Sequence, residues 1–254
     1  MIKQKTDTYK DAIELLDMVT ARQKTSFILF EPKTSNDASE KSIKEYLSSN
    51  FNQSAIQKIN NVAIINNTPF QTATSKVDFN NNTNVDLIQA IKKATGADYF
   101  YVYDVMNKNE FNSGINKTSA RGFQEVKIRK NDTLIITEYR PFDYNIAKAQ
   151  RSFAYDFKYK IINANTNQVV ASQIQNFKSW DAVEYQEFNK NFTGNINTLF
   201  PYNPQQTASA NQYSPRAWRN LYSARNTLKS MDELKNDVFK QNINAFINST
   251  KIMK

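Results

Sequence analysis

The chain has 254 residues, 40% of them hydrophobic and 13% aromatic, which is enough apolar material for a folded core and too much for a disordered chain. It contains no cysteine and no histidine, which excludes disulfides, thiolate nucleophiles, the commonest general base and nearly every zinc or haem site. The net charge of +9 is uneven: residues 101–254 hold 21 basic and 13 acidic side chains, a balance suited to nucleic acid, anionic headgroups or an acidic protein.

The amino terminus, "MIKQKTDTYKDAIELLDMV", has no apolar leader segment. It fits a cytoplasmic protein or a chain that begins after a removed leader. Thr8 and Asp11 form a capping-box pattern before a helix with Tyr9, Ala12, Ile13, Leu16 and Val19 on one face. "TSFILFEP" reads as a short buried strand ended by Pro32. "DASEKSIKEYLSSNFNQSAIQKI" reads as one or two helices through Ile43, Tyr46 and Leu47, then Ile56 and Ile59. "NVAIINNTP" is a second strand, and the polar stretch 67–83 is a loop matching no calcium-loop spacing.

Leu87, Ile88, Ile91 and Ala94 make the next helix face, with Gly96 placed as the left-handed residue that ends it. Tyr99, Tyr101 and Tyr103 alternate with Phe100 and Val102, the pattern of a central strand covered on both sides. Residues 107–132 are polar and open a long excursion, 107–150. "TLIITEY" and "SFAYDFKYKII" are strands, and "NANTNQ" turns the chain into "VVASQI". In the strict alternation of 152–162, Phe153, Tyr155, Phe157, Tyr159 and Ile161 share one face. Asp156, Lys158 and Lys160 share the other, expected to meet water if the aromatic face is core.

Ser214-Pro215 is an N-cap with proline at the first helical position, and Ser230 with Glu233 is a capping box before Leu234, Val238, Ile243, Phe246 and Ile247. The expected organisation is an N-terminal helix over 1–24, a mixed α/β sheet domain over 25–200 flanked by helices, and a Pro-rich connector with C-terminal helices over 201–254 packed on the same domain.

Four scattered glycines (Gly96, Gly114, Gly122, Gly194) leave no phosphate-cradling loop. Carboxylates are the only catalytic groups left. Their best cluster is "WDAVEYQEF", with Trp180, Asp181, Glu184, Tyr185 and Glu187. Paired acids beside aromatics suit a glycosidase, whereas acids three residues apart on a surface element are ordinary solvated side chains. An RNA-stacking platform would carry glycines beside its aromatics; neither "YFYVYDV" nor "FAYDFKYKI" has one. The reading is therefore non-enzymatic, with no catalytic residue, cofactor or metal. No apolar run reaches the ~20 residues of a membrane helix.

"KKATGADYFYVYDV" followed by "DFKYKIINANTNQVVAS" resembles the envelope lipoproteins of the curli-secretion CsgG group and the related penicillin-binding-protein activators and TolB amino-terminal domains. Gly96, Ala97, Asp98 and Tyr99 match their helix-ending Gly-Ala-Asp-Tyr. Asn163, Thr166 and Asn167 stand where that family often has Asp, Thr and Gly, before Val169, Val170, Ala171 and Ser172. The resemblance implies a mixed sheet flanked by helices that makes protein–protein contacts in the periplasm or at the outer membrane, without a secretion pore. A missing cysteine fits a lipoprotein whose anchoring residue has been cut away. The partner expected is an envelope protein or a second copy, and the candidate contact surface is Arg121, Lys127, Arg129, Lys130, Arg140, Lys158 and Lys160. The alternative is a cytoplasmic nucleic-acid-binding module using the basic second half.

Overall fold

The computed structural model describes residues 12–15, 24–30, 38–58, 62–65, 85–188, 192–206 and 214–251. The capping box at Thr8, most of the first helix, Pro32, Ile59, the loop 67–83 and part of the connector lie outside these residues. Seven strands form one mixed, open sheet: β1 (Thr25–Phe30), β2 (Val62–Ile65), β3 (Tyr99–Asn112), β4 (Asn116–Arg129), β5 (Ile135–Asn163), β6 (Val169–Phe188) and β7 (Leu199–Phe200). Among the described residues, 12–15 are helical and four longer helices follow: α1 (Ala38–Lys58), α2 (Val85–Thr95), α3 (Pro215–Asn220) and α4 (Met231–Lys251). The order is β2-β1-β3-β5-β4-β7, with β6 also on β5. β1 is parallel to β2 and β3, while β4 is antiparallel to β5 and β7. This is the expected α/β class. The region 38–58 is one helix.

The residues group into two compact units. The first comprises Met1–Asn109, Ala154–Lys178 and Lys235–Lys254; the second comprises Glu110–Phe153 and Ser179–Leu234. In the first unit the sheet is covered on both faces. One face packs Ile28, Phe30, Phe100, Val102 and Ile162 against Ile88 and Ile91 of α2. The other is aromatic: Tyr101 stacks on Tyr159 with ring centroids 5.3 Å apart, and Phe51 of α1 stacks on Phe246 of α4 at 4.2 Å. Tyr101 pairs with Tyr159 and Tyr103 with Phe157, so β5 runs antiparallel to β3. Phe153, Tyr155, Phe157 and Tyr159 are all buried, as expected of core.

Buried tyrosines need partners for their hydroxyls. Asn242 Nδ2 donates to Tyr155 at 3.0 Å, and Ser249 Oγ lies 3.4 Å from the Tyr101 hydroxyl. Burial pushes both phenols up from their ordinary pKa, partly offset by these bonds. Lys44 and Asp104 form an ion pair of 2.5 Å whose side chains are 7% and 10% exposed. The opposite face of β5 departs from expectation. Asp156, Lys158 and Lys160 are half-buried, not fully in water. Asp156 accepts from Asn107 at 2.7 Å and Asn176 at 2.8 Å, which holds its carboxyl below the ordinary value.

The family-like residues are a structural clasp. Gly96 has φ +69° and its N–H bonds Lys92 O at 2.7 Å, ending α2 in the left-handed conformation. Asp98 then accepts from both the N–H and the hydroxyl of Ser26 at 2.8 Å, fixing β3 beside β1. Ala97 is buried and Tyr99 stacks on Phe27. Asn167, at φ +56°, closes the turn into β6.

The expected excursion over 107–150 is strand. β3 continues to Asn112, β4 follows after Gly114 at φ +67°, and β4 pairs with β5 from Asn116↔Lys148 to Arg129↔Ile135. Its polar composition is that of a ribbon with charges on both faces, of which Arg121 and Asp143 meet directly across the ladder.

In the second unit Tyr144, Leu199 and Trp218 form one cluster, with Phe142, Ile146, Phe188 and Tyr222 against it. Trp218 Nε1 donates to the Tyr144 hydroxyl at 3.0 Å. Gly122 is required where it stands, since a Cβ there would lie 2.8 Å from the Phe142 ring opposite. Ala147, Ala149, Val183 and Tyr185 pack with Ala224 and Leu228. Both terminal caps form as expected. Ser214 Oγ accepts from Ala217 N at 3.2 Å; Ser230 N donates to Glu233 Oε2 at 2.7 Å while Glu233 N donates to Ser230 Oγ at 3.1 Å.

Candidate interaction surface

The β4–β5 hairpin carries most of the expected basic residues. Its tip is held by one side chain: Asn131 Oδ1 accepts from Thr133 N at 3.1 Å and Leu134 N at 2.8 Å. Arg129 reaches back to the carbonyls of Asn131 (3.3 Å) and Asp132 (3.2 Å). Beside this ordered turn Leu134 is 48% and Ile135 62% exposed. Arg121 pairs with Asp143 directly across the ladder at 3.2 Å. Arg140 approaches Glu138 at 3.4 Å and Lys127 approaches Glu125 at 3.9 Å. Lys130 is exposed at the strand end.

Alternation puts Arg121, Lys127 and Arg129 on one face of the hairpin and Arg140 on the other. Lys158 and Lys160 belong to the first unit. The basic residues of the hairpin are thus interleaved with acids. Exposed pairs of this kind add only ~0–1 kcal/mol each to stability, so their value is in the pattern they present.

The carboxylates of "WDAVEYQEF" lie on β6. Asp181 and Glu184 are an odd number of residues apart on a strand and face opposite ways. Asp181 and Glu187 share a face at a strand spacing of roughly 20 Å, well beyond the ~5–9.5 Å of a glycosidase pair. Each has a cation: Arg225 grips Asp181 with two bonds of 2.8 and 2.6 Å, Lys148 holds Glu184 at 3.1 Å, and Lys117 holds Glu187 at 2.5 Å. The Arg225 bonds hold Asp181 down at about 2, with the Lys229 N–H at 2.8 Å adding to them. The bond to Glu187 pushes the Lys117 ammonium up.

Around Lys148 and Glu184, an open cleft of about 430 Å³ is lined also by Ser113, Asn116, Gln150 and Ala182. Ser113 N donates to Gln150 O, and Gln150 N to Ser113 Oγ, both at 2.9 Å. Among the described residues no group of three or more acids is placed to hold a metal ion, and no helix is long and apolar enough to cross a membrane.

Sequence reasoning missed the hairpin tip, the Arg225–Asp181 clamp and the Lys44–Asp104 pair. Asn131-Asp132 between two short apolar runs was the available signal for the tip. The two ion pairs join residues 44 and 60 positions apart, and nothing local announces them. No protein-family model matches the chain, and no curated protein matches it.

Proposed function

We propose that the protein is a non-enzymatic assembly or adaptor protein of a cell envelope, acting through protein–protein contacts in the periplasm or at the outer membrane. The observation that carries the contact reading is the β4–β5 hairpin: an ordered tip exposing Leu134 and Ile135, with the Arg129–Asp132 pair beside them. Apolar residues ringed by polar ones are the composition of a protein-binding patch. The compartment rests on the resemblance to CsgG-like and TolB-type envelope lipoproteins at Gly96–Tyr99 and Asn163–Ser172. The test is fractionation of cells that express the full-length gene product from its own locus, with protease added to intact spheroplasts. Recovery in the envelope fraction, digested from outside, is the expected result; a protease-protected cytosolic protein overturns it.

A second reading, a nucleic-acid-binding module, draws on the excess of basic side chains in residues 101–254. Most basic residues of the hairpin already have acidic neighbours, which phosphates would have to displace. Binding of single-stranded oligonucleotides with a steep loss of affinity on adding salt, abolished by Lys158→Glu or Lys160→Glu, would favour it over the envelope reading.

A further inference from the structure

We propose that the cleft around Lys148 and Glu184 binds a neutral oligosaccharide, with Trp180 as the aromatic platform for one sugar ring and Lys148, Gln150 and Glu184 bonding its hydroxyls. Every residue involved belongs to the second unit, and the inference does not rest on the envelope reading.

Strand alternation builds the face. Ala147, Ala149, Val183 and Tyr185 are buried in one cluster, so Lys148, Gln150, Ala182 and Glu184 turn their side chains to the opposite face. The Lys148–Glu184 pair at 3.1 Å spans β5 and β6 on that face. Trp180, two residues before Ala182, shares it and is 61% exposed. Along β6 the face therefore runs large, small, large: Trp180, Ala182, Glu184. The small middle residue leaves a depression, and the strand rise sets the Trp180 and Glu184 backbones roughly 13 Å apart. This depression is part of the open cleft of about 430 Å³, whose far wall is Ser113 and Asn116.

The chemistry of the cleft selects its ligand. Pockets of this size for drug-like ligands are lined mainly by apolar and aromatic side chains. Here an ammonium, a carboxylate and two amides supply donors and acceptors together. Lys148 and Glu184 neutralise one another, so a phosphate or a carboxylate ligand gains no net charge attraction from them. An uncharged ligand that carries many hydroxyls and also a flat C–H face is a sugar. Its weakly positive C–H face lies against the negative face of an indole, while its hydroxyls pair with the carboxylate, ammonium and amides. The open form of the cleft lets a chain of sugars lie across it. Hydrolysis is not part of the proposal, because Asp181 lies on the other face under Arg225 and leaves Glu184 without a carboxylate partner on its strand.

The test is calorimetric titration of the full-length protein with cellotetraose, chitotetraose and maltotetraose, which are uncharged. At least one should bind saturably, with an affinity that changes less than twofold between low and high salt. Trp180→Ala, at an exposed position and with its fold checked by circular dichroism, should weaken that binding at least tenfold, and Trp180→Phe should recover most of it. Ala182→Phe, which fills the depression from a second exposed position, should also weaken it at least tenfold. The proposal is overturned by saturable binding of none of the three sugars, by binding indifferent to Trp180→Ala or to Ala182→Phe, or by an affinity that falls steeply with salt, the mark of a charged ligand site.

Discussion

β5 makes two kinds of structure from one strand. From Ala154 onward it lies in the first unit, where Tyr155, Phe157 and Tyr159 are buried and the far face meets α2 through Ile162. Before Phe153 it lies in the second unit, where the ladder with β4 sets Arg121 against Asp143 and Gly122 against Phe142. In the first unit side-chain burial is the main stabilising term; along the hairpin it is backbone pairing with small cross-strand contacts. Equal chemical changes in the two segments should therefore have unequal effects.

The largest effect belongs to the first unit. Phe157→Ala empties a fully enclosed site and should lower stability by ~3–5 kcal/mol, read as a large fall in Tm; a small fall would show the aromatic face is not core. Asp104→Ala leaves Lys44 charged and buried and should cost a comparable ~3–5 kcal/mol. The double change Lys44→Met with Asp104→Leu should recover most of that loss in denaturant titration, because neither charge of the pair is then buried.

Asp181 should show its contribution in pH dependence. Its folded pKa is lowered, from an ordinary 3.8 to about 2, so the stabilisation is fully present above the ordinary value and is lost as pH falls toward 2. Asp181→Asn should flatten the acid limb of a stability–pH curve in that window; an unchanged limb would show that the Arg225 clamp is not formed in solution. The smallest effect is expected at Arg121→Ala, within about 1 kcal/mol, with high salt reducing the difference further.

Most of the first unit was legible because its signals are local. Gly96, the asparagine turn at 163–167 and the aromatic alternation each need only a few neighbouring residues, as do the Ser214 and Ser230 caps of the second unit. The hairpin was not legible for the reason the two segments differ. A ribbon with both faces partly in water has no single apolar face, so 107–132 shows no period and reads as a polar excursion. The same two-sided exposure made Trp180, 61% exposed, and its neighbouring acids look like a cluster when the strand sends them to opposite faces. Lys158 and Lys160 read as solvent-facing because alternation reports which face a residue takes, and says nothing of how deeply that face is covered.

The first unit draws on three separated stretches of chain, the last being Lys235–Lys254. Its aromatic layer closes only when Phe246 stacks on Phe51 and Asn242 reaches Tyr155. On the ribosome, Tyr101 and Tyr103 are made well before the helix that covers them. At ~5–20 residues per second, the roughly 90 residues between Phe157 and Phe246 take on the order of 5–20 s to appear. Throughout that interval the nascent chain must keep an aromatic sheet face from aggregating, so its yield should depend on holdase chaperones, and truncation before α4 should leave an insoluble product.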